Sequence, residues 1–132
     1  MSVDRVFLDA NVLFSAAYRP GAGLALLWHR GAELVTSQYA VAEASLNLPD
    51  EQQRDRLLRL LENVLILPGE SRPRSLPEVA LPEKDLFILW AAIDAGAAYL
   101  LTGDKRHFGR YFGRKLGGVL VLPPAEYLQR RR

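Results

Sequence analysis

The sequence predicts a three-layer α/β fold, a parallel sheet of five strands with helices packed on both faces. Three observations predict it. Short, continuous apolar runs recur along the chain, and a strand that is apolar along its whole length is one buried on both faces, the habit of parallel sheets. Segments with helical spacing or helix-capping residues separate those runs. The length, 132 residues with 49% apolar and 24% charged side chains, suits one domain with one core, taken as residues 1–132.

The elements follow in order. Arg5 to Leu8 reads as a short, buried first strand. After it, SAAYRPGAG reads as a loop and LALLWHR as a helix that stops at Gly31. ELVTS is the second strand. Ser37 can cap the helix QYAVAEASLNL, and Pro49 lies just beyond its end. DEQQRDRLLRLLEN is an amphipathic helix whose apolar face is Leu57, Leu58, Leu60 and Leu61, with Arg54, Arg56, Arg59 and Glu62 solvated. VLILP is the third strand. GESRPRSLPEVALP, rich in proline and charge, reads as an exposed, mobile loop. EKDLFILWAAIDAG is a helix opened by Pro82 and closed by Gly96. AYLL and GVLVL are the fourth and fifth strands. A terminal helix begins near Pro123 and Pro124 and runs into Arg130 to Arg132, a tail expected to fray.

Composition narrows the chemistry. The chain has no cysteine, which excludes disulfides, thiolate zinc sites and a cysteine nucleophile. With two histidines, any metal must be held largely by oxygen, which favours hard cations such as Mg²⁺ or Mn²⁺. No signal peptide or membrane span is readable, so a cytoplasmic location is expected. The formal charge is +2, but gathering four acids into one site would leave a clearly basic surface, suited to an anionic partner.

The acids fall where such a site belongs. Ligands of open parallel sheets bind beyond the carboxyl ends of the strands. Asp9 follows the first strand and Asp104, in LLTGD, follows the fourth. Asp85 lies in the first turn of the helix leading into the fourth strand, where the helix dipole alone would favour it. Glu43 stands mid-helix among Ala40, Val41, Ala42, Ala44 and Leu46, with Tyr39 and Asn47 one turn away on either side. An acid in so apolar a segment calls for a partner. Two carboxylates 5 Å apart repel by roughly 3 kcal/mol at an effective dielectric of 20. Four converging acids would take up protons or bind one or two divalent cations, and the chemistry that follows is phosphodiester hydrolysis.

These residues carry a resemblance. FLDANVL, then SQYAVAEASLN, then KDLFILWAAIDAGAAYLLTGD resemble, in that order and over most of the chain, the PIN domain, the small nuclease fold of many VapC-type bacterial toxins and related ribonucleases. The resemblance implies strand order 3-2-1-4-5 and Mg²⁺- or Mn²⁺-dependent cleavage of single-stranded or structured RNA. It implies that Asp9, Glu43, Asp85 and Asp104 form the acidic metal site. Asn11 and Thr102 would orient carboxylates and waters around it. Attack by activated water would leave a 5′-phosphate and a 3′-hydroxyl. It further implies a small antitoxin protein as partner, and often a homodimer. The chain departs from many VapC-type toxins in carrying Asp104 where they have asparagine, and Phe108 where they have a further aspartate. The TGD form resembles a sister branch of PIN-family toxins, and it leaves one metal or two as alternatives.

Other residues carry less. His107 reads either as a surface histidine or as a contact to phosphate or leaving group. Lys105, Arg106, Arg110, Arg114 and Lys115 form a basic cluster that can track an RNA backbone or simply face solvent. Trp28 and Trp90 read as core, and His29 as a helix-terminal residue. GAGLAL lacks the third glycine of a dinucleotide fingerprint, and neither a P-loop nor G-x-S-x-G occurs. Two rival functions remain. A haloacid-dehalogenase-like phosphatase would need a second aspartate where Asn11 stands. A catalytically silent module that binds RNA or protein would more naturally have lost one of the four acids.

Overall fold

The structure, a computed structural model, describes residues 3–21, 23–68 and 72–130. Ala22, the first residues of the loop read from Gly69, and Arg131 and Arg132 of the tail lie outside the described residues. The chain runs β1 (Arg5–Leu8), α1 (Ala10–Tyr18), a 3₁₀ turn (Leu24–His29), β2 (Glu33–Ser37), α2 (Gln38–Asn47), α3 (Glu51–Leu61) and β3 (Leu65–Leu67). It continues through α4 (Glu83–Asp94), β4 (Tyr99–Leu101), α5 (Lys105–Phe108), a 3₁₀ turn (Gly109–Tyr111), β5 (Lys115–Leu116), β6 (Val119–Leu122) and α6 (Pro124–Arg130).

The sheet order is β3-β2-β1-β4-β6-β5. Its first five strands are parallel neighbours in the expected order, with β6 as the fifth strand of the sequence reading. The sixth, β5, is a two-residue strand that pairs antiparallel with β6 at the edge. Val6, Phe7 and Leu8 of β1, Leu100 and Leu101 of β4, and Val121 and Leu122 of β6 are fully buried, as strands covered on both faces must be.

The extra strand is built by Gly117 and Gly118, both at positive φ (58° and 89°), the signature of a two-residue hairpin turn. A Cβ on Gly117 would also come within 2.6 Å of the Ile93 side chain. Gly117→Ala is therefore expected to destabilise the fold by about 1–2 kcal/mol, chiefly through the left-handed backbone, with Ile93 free to rotate away. Urea unfolding checks this, and an unchanged midpoint would contradict it.

Three sequence expectations are corrected here. The stretch read as a loop from Ser15 begins inside α1. Asp9 caps that helix, and Ala10, Val12, Leu13, Ala16 and Ala17 fall on its buried side at helical spacing. LALLWHR forms a 3₁₀ turn instead of an α-helix. Gly23 opens it with a left-handed backbone and no side-chain cap, and Leu27 is its one buried residue. On α3, Leu57 and Leu61 are buried one turn apart, but Leu58 is 64% exposed. Arg56, expected in solvent, is half-buried and donates to the Ala17 carbonyl, which ties α3 to α1. The proline-rich loop is exposed over most of its described part, as expected, and it is also stapled: Arg72 N–H and the Arg74 guanidinium both donate to Asp94, and Ala80 N–H donates to the Tyr111 hydroxyl. Leu76, Val79 and Leu81 pack against the core. Burial raises the Asp94 carboxyl, but these bonds and charges outweigh it and hold the group below its ordinary value. No helix of the described residues is long and apolar enough to cross a membrane.

Candidate active site

The register of β1 and β4 sets Leu8 opposite Leu101, so the next residues, Asp9 and Thr102, leave the sheet side by side. Asp9 N–H donates to the Leu101 carbonyl at 3.1 Å and Thr102 N–H to the Leu122 carbonyl at 3.1 Å, which fixes both strand exits. A hydrogen-bonded knot joins them. Asp9 Oδ1 accepts from Ala10 N–H at 2.6 Å, and Oδ2 accepts from Thr102 Oγ1 at 2.8 Å and from Asn11 Nδ2 at 3.0 Å. Asn11 Oδ1 accepts from Gly103 N–H at 2.7 Å, and Thr102 Oγ1 accepts from Asp104 N–H at 3.1 Å. Gly103 suits this close approach, because a Cβ there would stand 3.3 Å from Asn11 Oδ1 and press on the bond it accepts. Asn11 and Thr102 thus hold the two acidic segments together, each through more than one bond.

Asp104 caps α5, and the geometry of that short helix returns His107 to the carboxylate. Asp104 Oδ1 accepts from His107 N–H at 3.1 Å, and its Oδ2 lies 2.8 Å from His107 Nδ1. The same ring nitrogen is 3.3 Å from Asp85 Oδ2. His107 is half-buried between two acids, which corrects the surface reading of it. One ligand atom each from Asp85, Asp104 and His107 lie within 4.8 Å of one another.

All four predicted acids line one cavity of about 620 Å³, together with Asn11, Lys84 and Asn47. They do not all converge on one point. Asp85, Asp104 and His107 form the tight cluster, while Asp9 and Glu43 face the same space from α1 and α2. Glu43 is half-buried, and Asn47 bonds its backbone carbonyl in place of its carboxylate. Among the described residues no cation pairs with the Glu43 side chain. Lys105, Arg106 and Arg110 are exposed and do not line the cavity. Phe14, Ser15 and Lys84 line it without having been anticipated. The signal for the first two was present: once α1 is a helix, Asn11, Phe14 and Ser15 share a face.

The electrostatics are those of gathered negative charge. Burial pushes Asp9 up to about 6, against the hydrogen bonds from Thr102 and Ala10, and the charges of Asp85 and Glu43 add to the rise. Asp85 is also raised, first by burial and then by Asp104, with His107 and Lys84 opposing. Burial raises Asp104 as well, but the His107 ring and backbone bonds outweigh it and leave Asp104 below its ordinary value. Asp85 Oδ2 is buried and receives no hydrogen bond from the described residues. Its near neighbour is His107 Nδ1 at 3.3 Å, and a buried carboxylate oxygen without a hydrogen bond is costly. With Asp104 Oδ2 and an imidazole nitrogen beside it, it makes a donor set that fits a divalent cation.

The comparisons agree with this architecture. The chain superposes on a chain of the crystal structure of VapBC2 from Rickettsia felis bound to a DNA fragment from their promoter, with a TM-score of 0.64 and 15% sequence identity. The match covers 90% of this chain and 98% of the other. No curated protein matches in sequence. The sequence model of the PIN domain matches residues 5–106, a span that opens with β1 and closes in α5, so it takes in both strand exits and every acid of the cavity. The chain belongs to the PIN domain family.

Proposed function

We propose that the chain is a Mg²⁺- or Mn²⁺-dependent endoribonuclease, the toxin of a type II toxin–antitoxin pair. The observation that carries this reading is the cluster of Asp85, Asp104 and His107 in a cavity also lined by Asp9 and Glu43. The family supports a nuclease, and the VapBC neighbour in fold supports an antitoxin protein as partner.

Asp85 and Asp104 would hold the cation, with Asp9 and Glu43 bounding the space around it. A divalent ion there supplies a more acidic water and charge stabilisation at the phosphoryl oxygens. The remaining work belongs to the chain. Asn11 and Thr102 hold the Asp9 carboxylate toward the cavity. His107 positions Asp104 through two bonds and puts a ring nitrogen between two acids.

The test is cleavage of a panel of end-labelled RNAs, with single-stranded DNA for comparison, in Mg²⁺, in Mn²⁺ and in EDTA. Cutting of RNA with either metal and none in EDTA is expected. Cutting that persists in EDTA would remove the metal from the reading. Absence of cutting by folded, antitoxin-free protein on the whole panel would favour a silent binding module.

The exposed Lys105 and Arg106 flank the cluster at Asp104 and are suited to phosphate contacts. Replacing both by glutamine is expected to weaken RNA binding similarly for all sequences and to flatten log K against log salt by about 1.4 for a single strand. An unchanged slope would assign the RNA path to another face.

A further inference from the structure

We propose that Tyr39 and Phe87 form a stacking platform for one unpaired nucleobase of the substrate, beside the acidic cavity. The inference rests on the nuclease reading above and adds a base-binding subsite to it.

Both rings are placed for this. Tyr39 is 42% and Phe87 37% exposed, which leaves part of each ring open to a ligand. They meet edge-on, with centroids 5.6 Å apart and planes at 76°. Trp90 neighbours Phe87, with centroids 5.8 Å apart and planes at 59°. Phe87 thus touches two other rings, and a ring held by neighbours loses little freedom when a base lands on it. Trp90, expected in the core, is half-buried.

The platform is continuous with the cavity. Tyr39 lies one helical turn before Glu43 on α2, and Phe87 one turn after Lys84 on α4; Glu43 and Lys84 both line the cavity. After burial, the charges of Glu43, Asp85 and Asp9 raise the Tyr39 phenol, which sets its hydroxyl within the field of the site. An RNA strand crossing the acids would have the exposed cations of α5 beside Asp104 and aromatic rings beside Glu43 and Lys84. Cations track phosphates and rings take bases, a pairing that single strands satisfy. A duplex hides the base faces the rings need.

The experiment uses the full chain carrying Asp85→Asn, in EDTA, so that bound RNA is not cut. Fluorescence anisotropy measures binding of a labelled single strand, its duplex, and the same strand with abasic sites in place of bases. Tyr39→Leu and Phe87→Leu keep an apolar side chain and remove the aromatic face, while Tyr39→Phe keeps the ring. The expected result is about tenfold weaker binding of the single strand by each leucine variant, no change for the abasic strand, and near-parental binding by Tyr39→Phe. Leucine variants that bind the single strand like the parent, while Lys105 and Arg106 variants weaken it, would overturn the platform and leave the nuclease reading standing. A parent that binds no RNA would overturn both. A parent that is dimeric by light scattering and becomes monomeric in the leucine variants would reassign the rings to a protein contact and overturn the platform.

Discussion

Asp85→Asn is expected to lower RNA cleavage by about a thousandfold or more while leaving the fold at least as stable as the parent at pH 7. The two halves have one cause. The Asp85 carboxylate is buried, its Oδ2 receives no hydrogen bond from the described residues, and Asp104 lies beside it. The folded chain holds this charge at a cost, as the raised pKa records. An amide of the same shape removes the cost. It also removes a charged ligand from the cation, and a few kcal/mol of lost transition-state stabilisation is a factor of about a thousand in rate. The competing account is structural: Asp85 is in the first turn of α4, where an acid complements the helix dipole. That account expects the reverse, a loss of about 0.3–1 kcal/mol in stability with cleavage intact. Single-turnover cleavage with Mg²⁺, and urea unfolding in EDTA, separate the two. Asp9→Ala should behave differently from Asp85→Asn, because it strands the Ala10, Asn11 and Thr102 donors and costs about 1–3 kcal/mol of stability as well as activity.

The parts of this site that were legible in the sequence are those fixed by strand ends. Asp9, Thr102 and Asp104 follow apolar runs, and parallel register brings such positions together whatever the loops do. Asn11 was legible by its spacing from Asp9. His107 was misread because its position depends on Asp104 acting as a helix cap, which turns a basic loop into a four-residue helix and brings the third residue after the cap back to the carboxylate. The same blindness hid α1. Asp9 was read as the end of a strand, and its second role, capping a helix of small apolar residues, left no contrast between polar and apolar faces. The edge strand β5 is too short for any alternation, and only the glycine pair after it signalled a hairpin. The loop anchored by Leu76, Val79 and Leu81 has no period at all, and its staples to Asp94 and Tyr111 are contacts made across the fold. Local pattern thus placed the acids, and capping and long-range contacts placed their partners.

The metal-free protein is expected to lose stability as pH rises from about 4 to 7, the opposite of ordinary acid denaturation. The Asp9 carboxyl, ordinarily near 3.8, is pushed up to about 6 in the fold. Between those values the folded chain binds the proton and the unfolded chain does not, so stability falls with rising pH. Asp9 alone accounts for about 3 kcal/mol across that window, and the raised Asp85 adds in the same direction. Asp94 and Asp104 act in the other sense. Their lowered pKa values contribute stability that is present above their ordinary range and is lost only as pH falls through their depressed values. The two windows do not overlap, which places the stability maximum set by these four groups near pH 4. Urea unfolding in EDTA across pH 4–7 measures it, and Asp9→Asn should flatten most of the slope. Added Mg²⁺ or Mn²⁺ should restore the lost stability at pH 7, by about 2.7 kcal/mol at a hundredfold excess over Kd. A flat profile in the parent would mean that Asp9 is solvated in a way its buried position does not suggest. A steep profile that neither metal relieves would leave the gathered charge real and its compensation by a cation unsupported. The acids would then be held apart from any ion, and the Asp85 variant would lose its reason to stop cleavage.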